Sequence, residues 1–371
     1  MDLSEFLLAW RTTALPDREV IDTLVHPAHT APSPALAAAL ARWPGTYYWS
    51  DEPDGRHLVL TRATRPRPRE RWLLHGALFI TTLYTVTFAG AVLAGRLPYS
   101  GVLTFFTSGH PGYPAFVAAW SGGLAFSVPL LAILLCHELG HFGAARRYLL
   151  DVSPPYFIPV PLLPSFIGTM GAFIRLRTIL TDRRQLFDVG VAGPIAGFVV
   201  ALPALAAGVA LSHPIASPHE GWTGMIVYFG ADPYIPLGDS LITWTVRRLV
   251  LGDAPAIWVH PLAFAGWVGM FITMLNLLPI SQLDGGHLLY AVLPRWHYRV
   301  AQIIWVAITA LGYLWPPWLF WAVVVLLLSR GRLGHPPVLD AYRPLPRSRH
   351  WLAWAAVVLF VITFTPVPTR M

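Results

Sequence analysis

Long apolar stretches separated by short polar segments run through most of this chain. Residues 72–95 carry no formal charge, and further apolar stretches occupy residues 118–145, 189–212, 256–279 and 351–364. A helix needs about 20 apolar residues to cross a bilayer, so the first four stretches are long enough and the last is short. This pattern predicts an all-α polytopic membrane protein.

One more apolar stretch, residues 300–328, is interrupted by the tetrapeptide WPPW. Paired prolines break a helix, which favours a tight hairpin of two short helices over a single long, bent span. We therefore expect about six to seven transmembrane helices in total.

The first 71 residues have a different pattern, because they carry 18 of the 45 charged residues. Residues 17–42 are predicted to be helical. Residues 46–50 and 57–61 flank an acidic turn that contains proline and glycine, which is typical of a hairpin. We expect a small α+β head over residues 1–71, and the Arg- and Pro-rich end of this segment is interpreted as a linker.

The arginines set the expected orientation of the membrane domain, residues 72–371. All 26 basic residues are arginine, and placing the head in the cytoplasm puts 22 of them on that side. Basic residues favour cytoplasmic loops, so we expect a multi-pass protein of the cell membrane with a cytoplasmic N-terminus. A net charge of +7 would suggest nucleic acid for a soluble protein. Here the loops account for the charge, and no nucleic-acid partner is expected.

A single charged residue lies within the second apolar stretch. Glu138 is the only charged residue in the range 97–145, and it belongs to the pentapeptide HELGH at residues 137–141. Two histidines four residues apart face the same side of a helix and can bind one metal, with the glutamate beside them as a base. Charged residues inside a membrane helix are costly and mark functional sites by default. The pattern predicts a zinc site at His137 and His141.

A second isolated carboxylate offers a third ligand. A catalytic zinc site takes three protein ligands and leaves one position open for water. Asp284 is the only charged residue in the range 254–294, and it follows the fourth apolar stretch at the same expected depth as the two histidines. We expect Asp284 to complete the site. His287 is a rival ligand, and Cys136 is interpreted as a small core residue.

The segment between the second and third apolar stretches cannot be a spanning helix. Residues 151–180 are apolar but contain five prolines, which predicts a short membrane-associated β or loop insertion. Residues 171–177 could offer an open strand edge to an unwound substrate, and ordinary loop packing is the alternative. The candidate substrate-binding residues are Gly171, Ala172, Phe173 and Ile174.

Three further expectations concern helices near the site and at the outer face. Asp188 opens the third apolar stretch and is expected to satisfy the N-terminus of its helix. Gly190, Gly193 and Gly197 are expected to allow close helix packing. The mixed face of residues 237–250 predicts an interfacial helix on the outer side.

Four motifs together resemble the site-2 protease family of intramembrane zinc metalloproteases. They are HELGH at 137–141, GTMGAF at 168–173, FDVGVAGPxxG at 187–197 and NxxPxxxxDG at 276–285. The sequence is most similar to the subgroup without a PDZ domain. The resemblance covers residues 137–286, within a core that we expect over residues 118–290.

The resemblance implies one zinc ion per chain, bound by His137, His141 and Asp284. It also implies that Glu138 is the catalytic base and that Asn276 helps at the substrate or oxyanion position. The expected function is hydrolysis of peptide bonds in membrane-anchored proteins near the cytoplasmic face, with transmembrane proteins and the lipid bilayer as partners. The alternatives are a membrane zinc transporter and a non-proteolytic receptor for transmembrane helices.

Overall fold

The computed structural model divides into two compact units of contacting residues. The first comprises Met1–Glu70, Ala145–Ser153 and Leu176–Ile179, and the second comprises the rest of the chain. The residues that the structure describes are 3–14, 18–29, 33–52, 54–64, 70–98, 107, 112–160, 167–178, 180, 182–215, 223–227, 235–336, 338 and 344–369.

Among its described residues, the first unit contains a four-stranded antiparallel sheet, one complete α-helix and two 3-10 helices, Leu3–Phe6 and Pro27–His29. Its elements are β1 (Leu7–Ala14), β2 (Arg18–Val25), α1 (Pro34–Ala41), β3 (Thr46–Glu52) and β4 (Gly55–Ala63), and the strand order is β1-β2-β4-β3. The Ser33 side chain caps α1 by accepting a hydrogen bond from the backbone N–H of Leu36. Leu36 packs with Leu58 and Leu60 of β4, so the helix covers one face of the sheet.

The hairpin predicted around residues 46–61 is present, but the helix predicted over residues 17–42 is wrong in its first part. Residues 18–25 form β2, and only Pro34–Ala41 is α-helical. Strand β2 is rich in β-branched residues and pairs with a neighbour on each side, which outweighs any local helical preference. Strand β1 is not predicted from the sequence.

Residues 145–153 and 176–179 belong to the first unit, which the sequence does not predict. Arg177 forms a bidentate ion pair with Glu70, with N–O distances of 2.6 and 2.9 Å. Arg18 at the start of β2 donates to the side chain of Thr178 and to the backbone carbonyl of Leu149. These contacts tie two loop segments to the β-sheet within one unit.

Among the described residues, the second unit begins with four helices, of which the third extends into the first unit with its last three residues. They are α2 (Trp72–Leu93), α3 (Gly112–Ser121), α4 (Leu124–Arg147) and α5 (Arg183–Ala210). Among the described residues, α2, α4 and α5 are long and apolar enough to cross a membrane. They correspond to the first three apolar stretches of the sequence.

Among the described residues of this unit, one small sheet lies between α4 and α5, and a second one follows α5. The segment between α4 and α5 contains the antiparallel pair β5 (Tyr156–Pro159) and β6 (Thr169–Phe173). After α5, the chain forms β7 (His213–Ile215), β8 (Gly224–Val227), β9 (Ile235–Leu237) and β10 (Ala256–Trp258), in the order β7-β10-β8-β9. The fourth apolar stretch thus opens with a strand, and its helix starts only at Pro261, where His260 caps it.

The remaining helices complete the unit. They are α6 (Leu241–Leu251), α7 (Pro261–Asn276), α8 (Asp284–Val292), α9 (His297–Leu311), α10 (Pro317–Leu328) and α11 (Arg347–Thr363). The predicted hairpin corresponds to α9 and α10, which the two prolines separate. The two helices contact each other, and the Trp305 indole donates to the Ala322 carbonyl at 3.1 Å.

The main core lies between α4, α5 and α7, where glycines bring the helices close. A Cβ at Gly208 would lie 2.1 Å from the backbone nitrogen of Ala263, and one at Gly266 would lie 2.5 Å from that of Leu205. Leu130 of α4 is fully buried in the same hydrophobic core. This packing fixes α4 and the end of α7 against α5, and the candidate site lies among these helices and α8.

Candidate metal centre

The HELGH pentapeptide lies in the second half of α4, and its two histidines are on one face. The Nε2 atoms of His137 and His141 are 3.1 Å apart. Both side chains are buried, with residue exposures of 5% and 7%. The helical repeat therefore brings the two imidazoles to one point, as the sequence predicts.

Asp284, the first residue of α8, reaches the same point. Its Oδ2 atom lies 3.3 Å from Nε2 of His137 and 3.3 Å from Nε2 of His141. Backbone crowding requires the glycine that follows, since a Cβ at Gly285 would lie 2.0 Å from the Leu277 carbonyl oxygen. The DGG sequence thus allows α8 to start directly beside the end of α7.

The three atoms form a triangle that suits a metal. Their separations of 3.1, 3.3 and 3.3 Å match the roughly 3.3 Å expected between ligands about 2.0 Å from a tetrahedral zinc ion. Among the described residues, this is the one group of three or more His, Cys, Asp or Glu side chains that could hold a metal ion. Two imidazole nitrogens and a carboxylate oxygen are a donor set that zinc takes.

The charge of the Asp284 carboxylate also suits a cation. Metal binding requires deprotonated ligand atoms, and a carboxylate offers an acceptor oxygen that carries negative charge.

A backbone carbonyl orients one of the histidines. The Nδ1 atom of His141 lies 2.7 Å from the carbonyl oxygen of Val189 in α5. A carbonyl can only accept, so Nδ1 carries the proton and the lone pair of Nε2 faces the cluster. The close approach of α5 depends on Gly193, because a Cβ there would lie 2.1 Å from His141 Nε2.

Glu138 and Asn276 border the cluster without belonging to it. Glu138 is 6% exposed, and the backbone of Ile174 lies within hydrogen-bonding reach of its carboxylate. The Asn276 amide nitrogen, at the end of α7, lies 3.3 Å from Nε2 of His137. Both side chains are therefore next to the predicted ligands.

The candidate substrate residues lie on and just after β6. Phe173 pairs with Tyr156 of β5, and Ala172 pairs with Phe157. Among the described residues, β6 has a strand partner on one side. The proximity of Ile174 to Glu138 brings the end of this strand to the candidate site.

His287 and Cys136 lie outside the metal-binding group. The Nδ1 atom of His287 lies 2.8 Å from Nε2 of His335, so this ring is engaged with the segment that follows α10. Burial lowers the pKa of His287 to about 4, which keeps the imidazole neutral. Cys136 is half-buried and has a free thiol.

The expectation for Asp188 is corrected. The N-terminus of α5 is capped by Asp182, whose side chain accepts from the backbone N–H of Gln185 at 2.8 Å. Asp188 lies within the helix and forms a bidentate ion pair with Arg349 of α11. A carboxylate at the start of an apolar stretch indicates a charged partner, but the sequence does not indicate which arginine it is.

Comparisons with known proteins identify a family and several relatives. The model of Peptidase family M50 matches residues 125–314, which include the three predicted ligands. The chain is 29% identical over 323 residues to the "Probable zinc metalloprotease EGY1, chloroplastic" of Oryza sativa subsp. japonica, covering 84% of this chain and 53% of that protein. It is 30% identical over 328 residues to the protein of the same name from Arabidopsis thaliana, covering 84% and 56%.

The chain therefore spans about half the length of these curated relatives. No solved structure matches it at a significant level. Zinc is the metal that both relatives' names give, and it fits the donor set of His137, His141 and Asp284. Because the family match covers half of the chain and includes the whole candidate centre, the chain belongs to Peptidase family M50.

Proposed function

We propose that the chain is an intramembrane zinc endopeptidase that hydrolyses peptide bonds of membrane-anchored proteins near the cytoplasmic face. The observation that carries this proposal is the triangle of two imidazoles and one carboxylate, with a buried glutamate beside it, among apolar helices. An isolated ion-binding group of this kind inside a membrane segment is a functional site by default.

Each residue of the centre has a distinct role in this proposal. His137, His141 and Asp284 hold the metal, and the Val189 carbonyl keeps His141 in the required tautomer. When bound, zinc would lower the pKa of a water molecule towards about 7 and polarise the scissile carbonyl. Glu138 accepts the proton of the attacking water and returns it to the leaving amine.

Asn276 is placed to assist the carbonyl of the substrate. Its amide nitrogen is at the edge of the ligand triangle, 3.3 Å from His137. An amide N–H in a buried site stabilises the negative charge that develops on the carbonyl oxygen. We assign Asn276 this role because it is the neutral donor at the end of α7 nearest the centre.

The substrate is bound in an extended form. A helical substrate hides its carbonyls in its own hydrogen bonds, so the segment around the scissile bond must unwind first. Gly171, Ala172, Phe173 and Ile174 would pair with this segment through the backbone of β6 and its continuation. The reach of Ile174 to Glu138 supports this placement, because a segment bound there lies beside the base.

The membrane arrangement is part of the proposal. Six to seven spans would arise from α2, α4 and α5 together with the shorter helices α7, α9, α10 and α11, in the cell membrane. The head and most arginines are placed in the cytoplasm, in line with the preference of basic residues for that side. Transmembrane proteins are the substrates in this arrangement.

The transporter alternative is less well supported. A zinc transporter needs several ligand sets along a path through the membrane, whereas the described residues contain one such group. It would also have no use for the carboxylate of Glu138 beside the ligands. An inactive receptor for helices would not require the base either.

A cleavage assay tests the proposal. The purified chain would be reconstituted in vesicles with a transmembrane peptide that carries a helix-breaking residue near its cytoplasmic end, and products would be mapped by mass spectrometry. The wild type should cut the peptide, and Glu138→Gln should lose at least about 10²-fold in rate while its zinc content is unchanged. Wild-type cleavage rates in Glu138→Gln would contradict the proposal, and zinc uptake without cleavage would indicate a transporter.

A further inference from the structure

An ion pair connects the metal centre to a helix that the family match does not include. Asp188 of α5 binds Arg349 of α11 through two contacts, Nε to Oδ1 at 3.1 Å and Nη2 to Oδ2 at 2.9 Å. The two side chains are 19% and 22% exposed. Bidentate charge-assisted pairs of this kind fix geometry as well as contribute energy, because both groups are planar.

The ion pair lies one residue from the group that orients a metal ligand. The next residue after Asp188 is Val189, whose carbonyl oxygen accepts the hydrogen bond from Nδ1 of His141 at 2.7 Å. The Val189 carbonyl belongs to the peptide unit that directly follows the one joining Asp188 to Val189, and both planar units lie in the same turn of the helix. A shift of Asp188 therefore moves the Val189 carbonyl, and with it the direction in which the His141 ring can point.

The backbone of α5 is weakened around Gly190, so this part of the helix depends on contacts from other elements. Pro194 lacks a backbone N–H, so the carbonyl of Gly190 loses its usual donor within the helix. Gly190 and Gly193 add backbone freedom at the same turn. The glycines are there because bulkier residues would meet His287 and His141, with a Cβ at Gly190 lying 3.0 Å from that of His287. The close approach to the site thus leaves the helix locally weak.

The support comes from a helix outside the region matched by the family model. Arg349 is in the first turn of α11, and the match ends at residue 314. Helix α11 contacts α5, α6, α7 and α8, so it is anchored independently of this ion pair. It can therefore act as a fixed point for α5.

We propose that Arg349 is a positioning residue, which through Asp188 fixes the Val189 carbonyl and thereby the orientation of His141 as a metal ligand. This inference rests on the proposed metal centre and names a part of its supporting structure. It predicts that changes at Arg349 alter metal binding although the side chain does not touch the metal.

Cobalt binding tests the inference without relying on peptidase activity. The metal-free full chain in detergent would be titrated with Co²⁺, whose visible absorption reports the geometry of its ligands, and Zn²⁺ affinity would be measured by competition. Four variants would be compared with the wild type: Arg349→Met, Arg349→Lys, the double variant Asp188→Asn with Arg349→Met, and Arg347→Met. Arg347 is the matched control, since it is an exposed arginine of the same helical turn.

The expected result separates positioning from general stability. Arg349→Met leaves the Asp188 carboxylate without its two-fold partner, whereas the double variant removes both charges and should melt near the wild-type temperature. In both, Co²⁺ and Zn²⁺ affinity should fall about 10- to 100-fold, as is typical when a group that orients a ligand is lost, and the Co²⁺ spectrum should change. Arg349→Lys keeps the charge without the planar fork and should be intermediate.

Two results would overturn the inference. A folded double variant that binds Co²⁺ with wild-type affinity and spectrum would show that the ion pair serves stability alone. An equal loss in Arg347→Met would show that the effect is not specific to Arg349. If the wild type itself bound neither Co²⁺ nor Zn²⁺, the proposed metal centre would be wrong, and this inference would be wrong with it. Failure of the inference alone would instead appear as a wild type that binds metal and variants that bind it equally well.

Discussion

At the scale of single residues, Gly193 limits how α4 and α5 can meet at the centre. A Cβ at this position would lie 2.1 Å from Nε2 of His141, which is far inside van der Waals contact. We predict that Gly193→Ala lowers zinc affinity by at least about tenfold, because the ring must leave its position. Competition with a chelator would measure this loss.

Gly143 provides the matched control. It lies on α4 shortly after His141, and a Cβ there would meet nothing within 4 Å. Replacing a helical glycine with alanine stabilises a helix by up to about 1 kcal/mol, so Gly143→Ala should keep full zinc affinity and melt no lower than the wild type. Equal zinc affinity in the two variants would mean that Gly193 does not restrict His141.

The predicted ligands could be found from sequence because each is a charged or polar residue isolated in an apolar stretch. His137, His141 and Asp284 have this property, and the helical repeat and the expected depth bring them together. The acceptor for His141 could not be found, since it is a backbone carbonyl and carries no side-chain signal. The sequence does not indicate the partner of Asp188, because helix packing, rather than spacing, selects Arg349 among many arginines.

At the scale of elements, strand β6 makes a prediction about substrate. Pairing with an extended substrate needs backbone N–H groups, which proline removes. We predict that Phe173→Pro or Ile174→Pro impairs cleavage more than Phe173→Ala does, while zinc content is unchanged. Rates on one transmembrane peptide would be compared, and a proline scan through residues 171–177 that left cleavage intact would rule out strand pairing.

The cluster of His287 and His335 predicts a dependence of stability on pH. Burial lowers the pKa of His335 to about 3 and that of His287 to about 4. Unfolded histidines titrate near pH 6.5, so the unfolded chain binds more protons than the folded chain between pH 6.5 and 4. The free energy of unfolding should therefore fall on acidification, by up to about 1.4 kcal/mol per pH unit for each histidine.

His335→Phe isolates this contribution, because phenylalanine can keep the stacking on Tyr290 but cannot titrate. Melting temperatures at several pH values between 7 and 4.5 should drop less steeply in this variant than in the wild type. The predicted ligands titrate in both proteins, so they do not produce the difference. Parallel curves would contradict the assignment of the slope to this cluster.

The sequence predicts an element well where one local signal, such as an apolar stretch or paired prolines, dominates. It predicts an element poorly where pairing with distant strands decides the conformation. The long apolar helices follow from the uncharged stretches, and the hairpin of α9 and α10 follows from the paired prolines. The helix that the sequence predicts over residues 18–25 is wrong, because the strand character of these residues depends on pairing with β1 and β4. Likewise, the short strands β7 to β10 have three or four residues each, too few to give a periodic signal.

At the scale of the whole molecule, the arginines predict the direction in which the chain crosses the membrane. With Cys136 replaced by alanine, a single cysteine would be placed at Arg332 or at Asp253, both exposed. The positive-inside preference predicts that a membrane-impermeant thiol reagent added outside labels Asp253→Cys and not Arg332→Cys. Labelling of Arg332→Cys from outside in intact cells would contradict the proposed topology and the two-span hairpin.

The central claim is that His137, His141 and Asp284 bind one zinc ion and that Glu138 is the base that accepts the proton of the attacking water. The most direct measurement is the zinc-to-protein ratio, by elemental analysis, of the purified wild type, Asp284→Ala and Glu138→Gln. We predict one zinc per chain in the wild type and in Glu138→Gln, and strong loss in Asp284→Ala with the fold retained. Full zinc occupancy in Asp284→Ala, or no zinc in the wild type, would contradict the account.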